Sequence, residues 1–296
     1  MTVTAVFPTP DVTSAPPGSA VADAYARLTE AFSGLRVTER AAHEDPPGGA
    51  GWVRAEDLAA GGPALDAFLA WDDAQVLRDY GRQARPDVVA SFGLHRYAWP
   101  ACLLVTVPWF LHRRVPRLPV REVAFHRTLG RMTVRVDGFA CLPDDPAAAL
   151  PGARVVPDEE ALRGEVRAAV AQHLGPVLEG FGPRMRRGRR ALWGMVTDEV
   201  VESLWYVGHL LGEEQRAMAE LEALLPGSTA PYTGGAGFRT LCGPDGTELP
   251  TRDRASCCLF YTIRPDDTCV TCPRTGDADR VARLTAAAAT TATATA

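Results

Sequence analysis

Residues 189–211 read RRALWGMVTDEVVESLWYVGHLL, and within them Leu192, Val196, Val200, Leu204, Val207 and Leu211 recur at steps of four and three. That spacing lines six apolar side chains along one side of a 3.6-residue repeat, so a long core helix is expected from Arg189 to Leu211. Upstream, from Asp158, the residues Leu162, Val166, Val170 and Leu174 repeat the pattern, and Gly175-Pro176 should stop it. Downstream, Glu213 to Leu225 predicts a further helix ended by Pro226-Gly227.

The same period appears earlier in the chain. Ser19 is placed to cap a helix carrying Val21, Tyr25, Leu28 and Phe32 on one face. After a Pro/Gly-rich break at 45–51, a helix is expected over 64–80 with Leu65, Phe68, Leu69, Val76, Leu77 and Tyr80 as its apolar side, then one or two buried helices over 86–111, divided near Pro100. The period shortens to two between Val123 and Val136, with turn signals at Gly130 and at Asp137-Gly138, which predicts strands and hairpins. The expected fold class is therefore α+β, mainly helical, with a small β-hairpin or sheet region near 123–156. In domain terms the expectation is a disordered lead over 1–18, a mainly helical α+β docking domain over 19–226, a loop and C-terminal metal segment over 227–276, and a short helix with a low-complexity Ala/Thr tail over 277–296.

Composition narrows the function classes. The chain has 296 residues, 46% hydrophobic and 23% charged, which places it with folded chains. All of its 31 basic residues are arginine, so chemistry that needs a lysine, such as a Schiff base or a P-loop clamp, is excluded. A formal charge of -5 argues against a general nucleic-acid binder. There is no G-x-S-x-G elbow and no G-x-G-x-x-G after a strand, and the six histidines lack metal-ligand spacing. No apolar h-region opens the sequence, and the run 101–111 is short and cut by Pro108, so a cytoplasmic, soluble protein is expected.

Seven cysteines in a reducing compartment then need an explanation other than disulfides. Cys102 and Cys141 lie among apolar residues and are expected in the core, while Cys242 is a candidate spare thiol. Cys257, Cys258, Cys269 and Cys272 form C-C-x10-C-x2-C, a set of four sulfurs that suits iron–sulfur or zinc. Zinc usually takes two C-x2-C pairs, and only Cys269 and Cys272 have that spacing. Adjacent cysteines in extended backbone point to opposite faces, and a two-iron cluster relaxes the demand for one shared centre. An iron–sulfur cluster, a structural zinc and a redox dithiol all remain open on spacing alone.

Ser256-Cys257-Cys258-Leu259-Phe260-Tyr261, followed by Cys269-x2-Cys272-Pro273, resembles the hallmark of the FhuF-like ferric siderophore reductase family, with weaker support from residues 190–194 and 82–99. The resemblance implies a [2Fe-2S] cluster on Cys257, Cys258, Cys269 and Cys272. It further implies one-electron reduction of a chelated Fe(III), expected to be a hydroxamate siderophore, with release of Fe(II) in the cytoplasm. Lacking a nucleotide fingerprint, the protein should take its electron from an external ferredoxin or flavoprotein. No catalytic residue beyond the cluster is expected. Arg189, Arg190, Trp193, Arg252 and Arg254 are the candidates for contacting substrate or tuning the cluster. The dense run Arg184, Arg186, Arg187, Arg189 and Arg190 reads either as a solvated turn or as a basic patch serving an anionic donor, the cluster, or peripheral contact with the inner membrane. The competing readings are a zinc-stapled binding protein and an iron–sulfur electron carrier with a different acceptor.

Overall fold

The computed structural model describes residues 19–294, with residues 288–294 described by backbone alone. The expected lead over 1–18 lies outside the described residues. In chain order come α1 (Ala22–Ala31), β1 (Arg36–Glu39), β2 (Trp52–Arg54), α2 (Ala55–Ala60), α3 (Pro63–Tyr80) and α4 (Pro86–His112). Short strands follow, β3 (Val115–Pro116), β4 (Val123–His126), β5 (Arg131–Val134), β6 (Phe139–Cys141) and β7 (Ala153–Val155). The chain then builds α5 (Glu159–Phe181), α6 (Arg189–Leu210), α7 (Glu214–Leu224), the hairpin β8 (Phe238–Cys242) and β9 (Glu248–Arg252), and α8 (Asp277–Ala294). The protein is mainly helical α+β, as its periodicity predicts.

The core is built on α4, which packs against α1, α3, α5 and α6. It is one unbroken helix, so the expected division near Pro100 does not occur, although Pro100 and Pro108 both lie inside it. An interior proline costs about 3 kcal/mol through its missing N–H and its clash with the preceding turn. Twenty of the 27 residues of α4 are buried, and full burial of each large apolar side chain contributes roughly 1.5–3 kcal/mol. Tertiary packing therefore outweighs the local break. The same correction applies to α5, which runs through Gly175-Pro176 to Phe181 because Val177, Leu178 and Phe181 are buried beyond the expected stop. By length and composition α4 could cross a membrane, yet most of it is enclosed by the rest of the protein. Between α4 and α5, His173 is buried and neutral. Its Nδ1–H donates to the Leu118 carbonyl at 2.7 Å and its Nε2 accepts from the Tyr97 hydroxyl at 2.8 Å. Burial pushes its pKa down to about 4.

A four-stranded sheet, in the order β1-β5-β4-β2, covers one side of the helices. Its central hairpin pairs Val123 with Val134 and Phe125 with Met132. Gly130 turns it at φ +57°, where a Cβ would stand 2.0 Å from the Gly34 carbonyl oxygen, so only glycine lets these two loops touch. A second sheet, β3-β6-β7, lies within the expected 123–156 region apart from β3. The strands β1 and β2 were not foreseen, nor was the β8–β9 hairpin in the stretch expected to be loop. Two details also differ from expectation. Leu77 is exposed on α3, and Ser19 Oγ accepts from Val21 N and donates to Glu39, with α1 starting only at Ala22. The helix α8 continues through the Ala/Thr stretch expected to be a tail.

Candidate metal centre and cleft

The cysteine segment has little apolar burial of its own, and a single carboxylate on α6 organises it. Asp198 is fully buried. Its Oδ1 accepts from Ala255 N and from Arg252 Nη2, and its Oδ2 from Ser256 N and Ser256 Oγ, all four at 2.8 Å. Arg254 Nε stands 3.5 Å from the same Oδ2. The strand β9 thus ends against α6 immediately before the vicinal cysteines, and the loop after them leaves through Leu259 in the left-handed region at φ +69°. Other polar groups hold the far side. Ser91 Oγ donates to the Cys258 carbonyl at 3.2 Å, Arg187 donates to the Cys257 carbonyl, and Arg280 Nη2 donates to the Cys272 carbonyl at 3.1 Å.

The four thiols meet in two pairs, Cys257 with Cys272 and Cys258 with Cys269. Each of three sulfurs also receives the backbone N–H two residues on: Cys257 from Leu259 at 3.5 Å, Cys272 from Arg274 at 3.5 Å, and Cys258 from Phe260. Arg254 Nη1 lies 4.0 Å from Cys269 Sγ. The hydrogen bond from Cys269 brings the Cys258 thiol down to about 7, helped by the Phe260 N–H and the Arg254 charge, and the same bond pushes Cys269 up. Burial raises Cys257.

Cys258 also forms part of the wall of an open cleft of about 690 Å³. One face of α4 supplies Phe92, His95, Arg96 and Trp99, residues three and four apart, and α6 supplies Glu199 and Glu202. Opposite stand Trp71, Phe125, Arg127 and the Gly34–Gly130 contact, while Arg254, Cys258 and Phe260 come from the cysteine segment. His95 Nδ1 is held by the buried Glu199. Arg96 and Arg127 share the buried Asp72, and the Arg127 guanidinium lies 3.9 Å from the centroid of the Trp71 ring. Burial raises the Asp72 carboxyl against the opposing pull of both arginines.

Comparison with known proteins bears on the cysteine segment. Residues 254–274 match the FhuF 2Fe-2S C-terminal domain. No curated protein matches the chain. The FhuF-type segment implies a [2Fe-2S] cluster, and the donor set fits one. Four thiols in two contacting pairs suit a centre with two metal positions, N–H donors aimed at sulfur are a means by which proteins tune such centres, and arginines lie close by. Among the described residues no three His, Cys, Asp or Glu side chains converge on a single ion position.

The other candidates separate clearly. Arg254 lines the cleft and approaches Cys269. Arg252 does neither: it is wholly buried between Asp198 and Glu202, with Nε on the Ala236 carbonyl, and it serves as an internal staple. Trp193 is also interior, edge to face with Tyr232. Arg189 and Arg190 are exposed at the start of α6, and the member of that basic run that reaches the FhuF-type segment is Arg187. Arg184 is tied to Asp66 instead. Cys102 and Cys141 are buried, and Cys242 is exposed at the end of β8 opposite Glu248. Sequence reasoning missed Asp198, Glu199 and Glu202. Their signal was present, because acidic residues interrupting an otherwise apolar helix are seldom buried without a partner.

Proposed function

We propose that this protein is a ferric-siderophore reductase that passes one electron to a chelated Fe(III), with a hydroxamate siderophore as substrate and release of Fe(II) in the cytoplasm. The observation that carries this reading is Cys258, a residue of the FhuF-type segment that is also wall of a cleft large enough for a small-molecule chelate. Cys257, Cys258, Cys269 and Cys272 would hold the cluster, which when bound supplies single electrons.

The balance is simple: one electron enters from an external ferredoxin or flavoprotein and leaves to the chelated iron, which goes from Fe(III) to Fe(II). Hard anionic oxygen ligands hold Fe(III) far better than Fe(II), so the chelate loosens without an acid, base or nucleophile. The chain's part is positioning. Phe92, Phe125, Trp71, Trp99 and Phe260 offer apolar and π surface to the organic shell of the chelate and keep water from it. Asp198 and Ser91 hold the Cys258 loop at the cleft. Anaerobic purification followed by iron, zinc and acid-labile sulfide analysis tests the proposal. Two irons and two sulfides per chain with a red-brown spectrum are expected, and stoichiometric zinc without sulfide would refute it. An iron–sulfur protein that ferric chelates fail to reoxidise would instead be an electron carrier with another acceptor.

A further inference from the structure

The 690 Å³ cleft continues past Trp99 into a shallower depression of about 410 Å³, lined by Phe32, Trp99, Tyr206 and Glu202. Its three rings come from separate elements, the end of α1, α4 and α6. They meet edge to face, with centroids 5.5 Å apart for Phe32 and Trp99, 5.6 Å for Phe32 and Tyr206, and 5.9 Å for Trp99 and Tyr206. Tyr206 is 44% exposed, so this aromatic cluster is not covered by the fold. We infer that the cup of Phe32, Trp99, Tyr206 and Glu202 binds the alkylammonium arm of a cationic ferric chelate whose iron-bearing body lies in the adjoining cleft. The inference rests on the reductase reading and adds to it the charge of the substrate.

Ring faces carry negative quadrupole potential, and several rings beside a carboxylate are a receptor for an ammonium group. Charge supports this. The adjoining hollow on the other side of Glu202 is lined by Trp205, Tyr206, His209 and Glu214, whose carboxylate is already held by Trp205 Nε1 at 2.8 Å and His209 Nδ1 at 2.9 Å, so Glu202 is the carboxylate left to the cup. No arginine lines either depression, in a chain with 31 of them. Arg252 and Thr271 reach Glu202 from the protein side, but both bond Oε1 and leave Oε2 uncommitted to them. Arg252 is shared with Asp198, so among the described residues Asp198, Glu199 and Glu202 pair with Arg252, Arg254 and His95 alone. Three carboxylates there face two guanidiniums, and a thiolate-ligated centre adds further negative charge. At the other side of the cleft, Arg96 and Arg127 share one carboxylate, which leaves a single net positive charge there. The cleft is thus polarised, with its cation-attracting end at the cup.

Two probes isolate the arm: ferrioxamine B, a linear trihydroxamate chelate ending in a primary ammonium, and its N-acetylated form, which has the same iron coordination and a neutral end. Their redox-inert gallium(III) counterparts report affinity for the holoprotein through tryptophan quenching, and the iron forms report reoxidation of the reduced protein. We expect the charged chelate to bind roughly five-fold or more tightly than the acetylated one at low salt. Tyr206→Leu should abolish that preference by weakening the charged chelate alone, and Tyr206→Phe should retain it. Glu202→Gln should weaken it as well, but because Glu202 also bonds Thr271 beside Cys272, the tyrosine variants carry the test. Equal affinity for the two chelates, unchanged by Tyr206→Leu, would overturn the cup while leaving the reductase reading intact. Failure of both iron chelates to reoxidise the reduced protein would overturn the reductase reading, and the inference with it.

Discussion

Two regions that touch along α6 are held together by different forces. The interior around α4 is mostly apolar, and its packing is strong enough to carry two prolines through a continuous helix. The FhuF-type segment at 254–274 buries only Ser256, Ile263 and Cys272. It is fixed instead by hydrogen bonds to charged groups, chiefly Asp198, Arg187 and Arg280. An apolar core tolerates local irregularity because its stabilisation is spread over many contacts. A short loop held by a few charged groups has little such reserve, so single substitutions should act on the site almost without touching the core.

The largest expected effect comes from the thiols themselves. Serine in place of Cys257, Cys258, Cys269 or Cys272 should abolish or sharply destabilise the cluster, read as loss of visible absorbance and of bound iron, while far-UV circular dichroism keeps its helical signal. Full cluster content in any one of these variants would remove that cysteine from the ligand set.

Asp198→Ala should come next. Removing one partner of a buried ion pair costs about 3–5 kcal/mol when the other is left uncompensated; here Arg252 keeps Glu202, so the cost should fall below that and lie mainly in the orphaned Ala255 N and Ser256 N. The expected outcome is a chain that remains helical but loses iron faster than wild type on exposure to a chelator. Iron retention equal to wild type would mean the segment does not depend on this anchor.

The core responds to pH instead. His173 is neutral when folded, because burial lowers its pKa to about 4 from the ordinary histidine value of about 6.5. Its folded pKa is below the unfolded one, so the unfolded chain binds more protons between these values. Stability is complete above about pH 6.5 and declines as the pH falls toward 4, by up to about 1.4 kcal/mol per pH unit. His173→Gln should flatten urea midpoints across that window, and an unchanged slope would exclude this residue as the cause.

The smallest effects sharpen the contrast. Arg254→Gln removes a positive charge near Cys269 and should lower the midpoint potential by on the order of tens of millivolts after screening. Cys102→Ala should leave the visible spectrum intact and cost about 1 kcal/mol or somewhat more of packing.

How much of this was readable in the sequence follows from the same division of forces. Long periodic elements were legible: α6 falls within a residue of its expected end, and α3 within one of its start. Prolines misled at α4 and α5 because a local rule competes there with burial that the local pattern does not measure. The strands β1 and β2 are short and carry few apolar residues, so they show no alternation to count. The β8–β9 hairpin did announce its turn in Asp245-Gly246, which sits among residues that otherwise resemble loop. The four thiols were legible because metal ligands on one short loop are constrained by chain spacing. The cleft was not, since its walls come from residues between Phe32 and Phe260 that are joined only by folding.

The central claim is that the FhuF-type segment delivers an electron to a ferric chelate lying against Cys258. Its most direct test is to reduce the holoprotein anaerobically, add a ferric trihydroxamate with an Fe(II) trap, and follow the visible spectrum and the trapped iron together. The account predicts that the oxidised spectrum returns as Fe(II) appears in equal measure to the electrons lost. A protein that stays reduced with the chelate, yet reoxidises at once with ferricyanide, would contradict it.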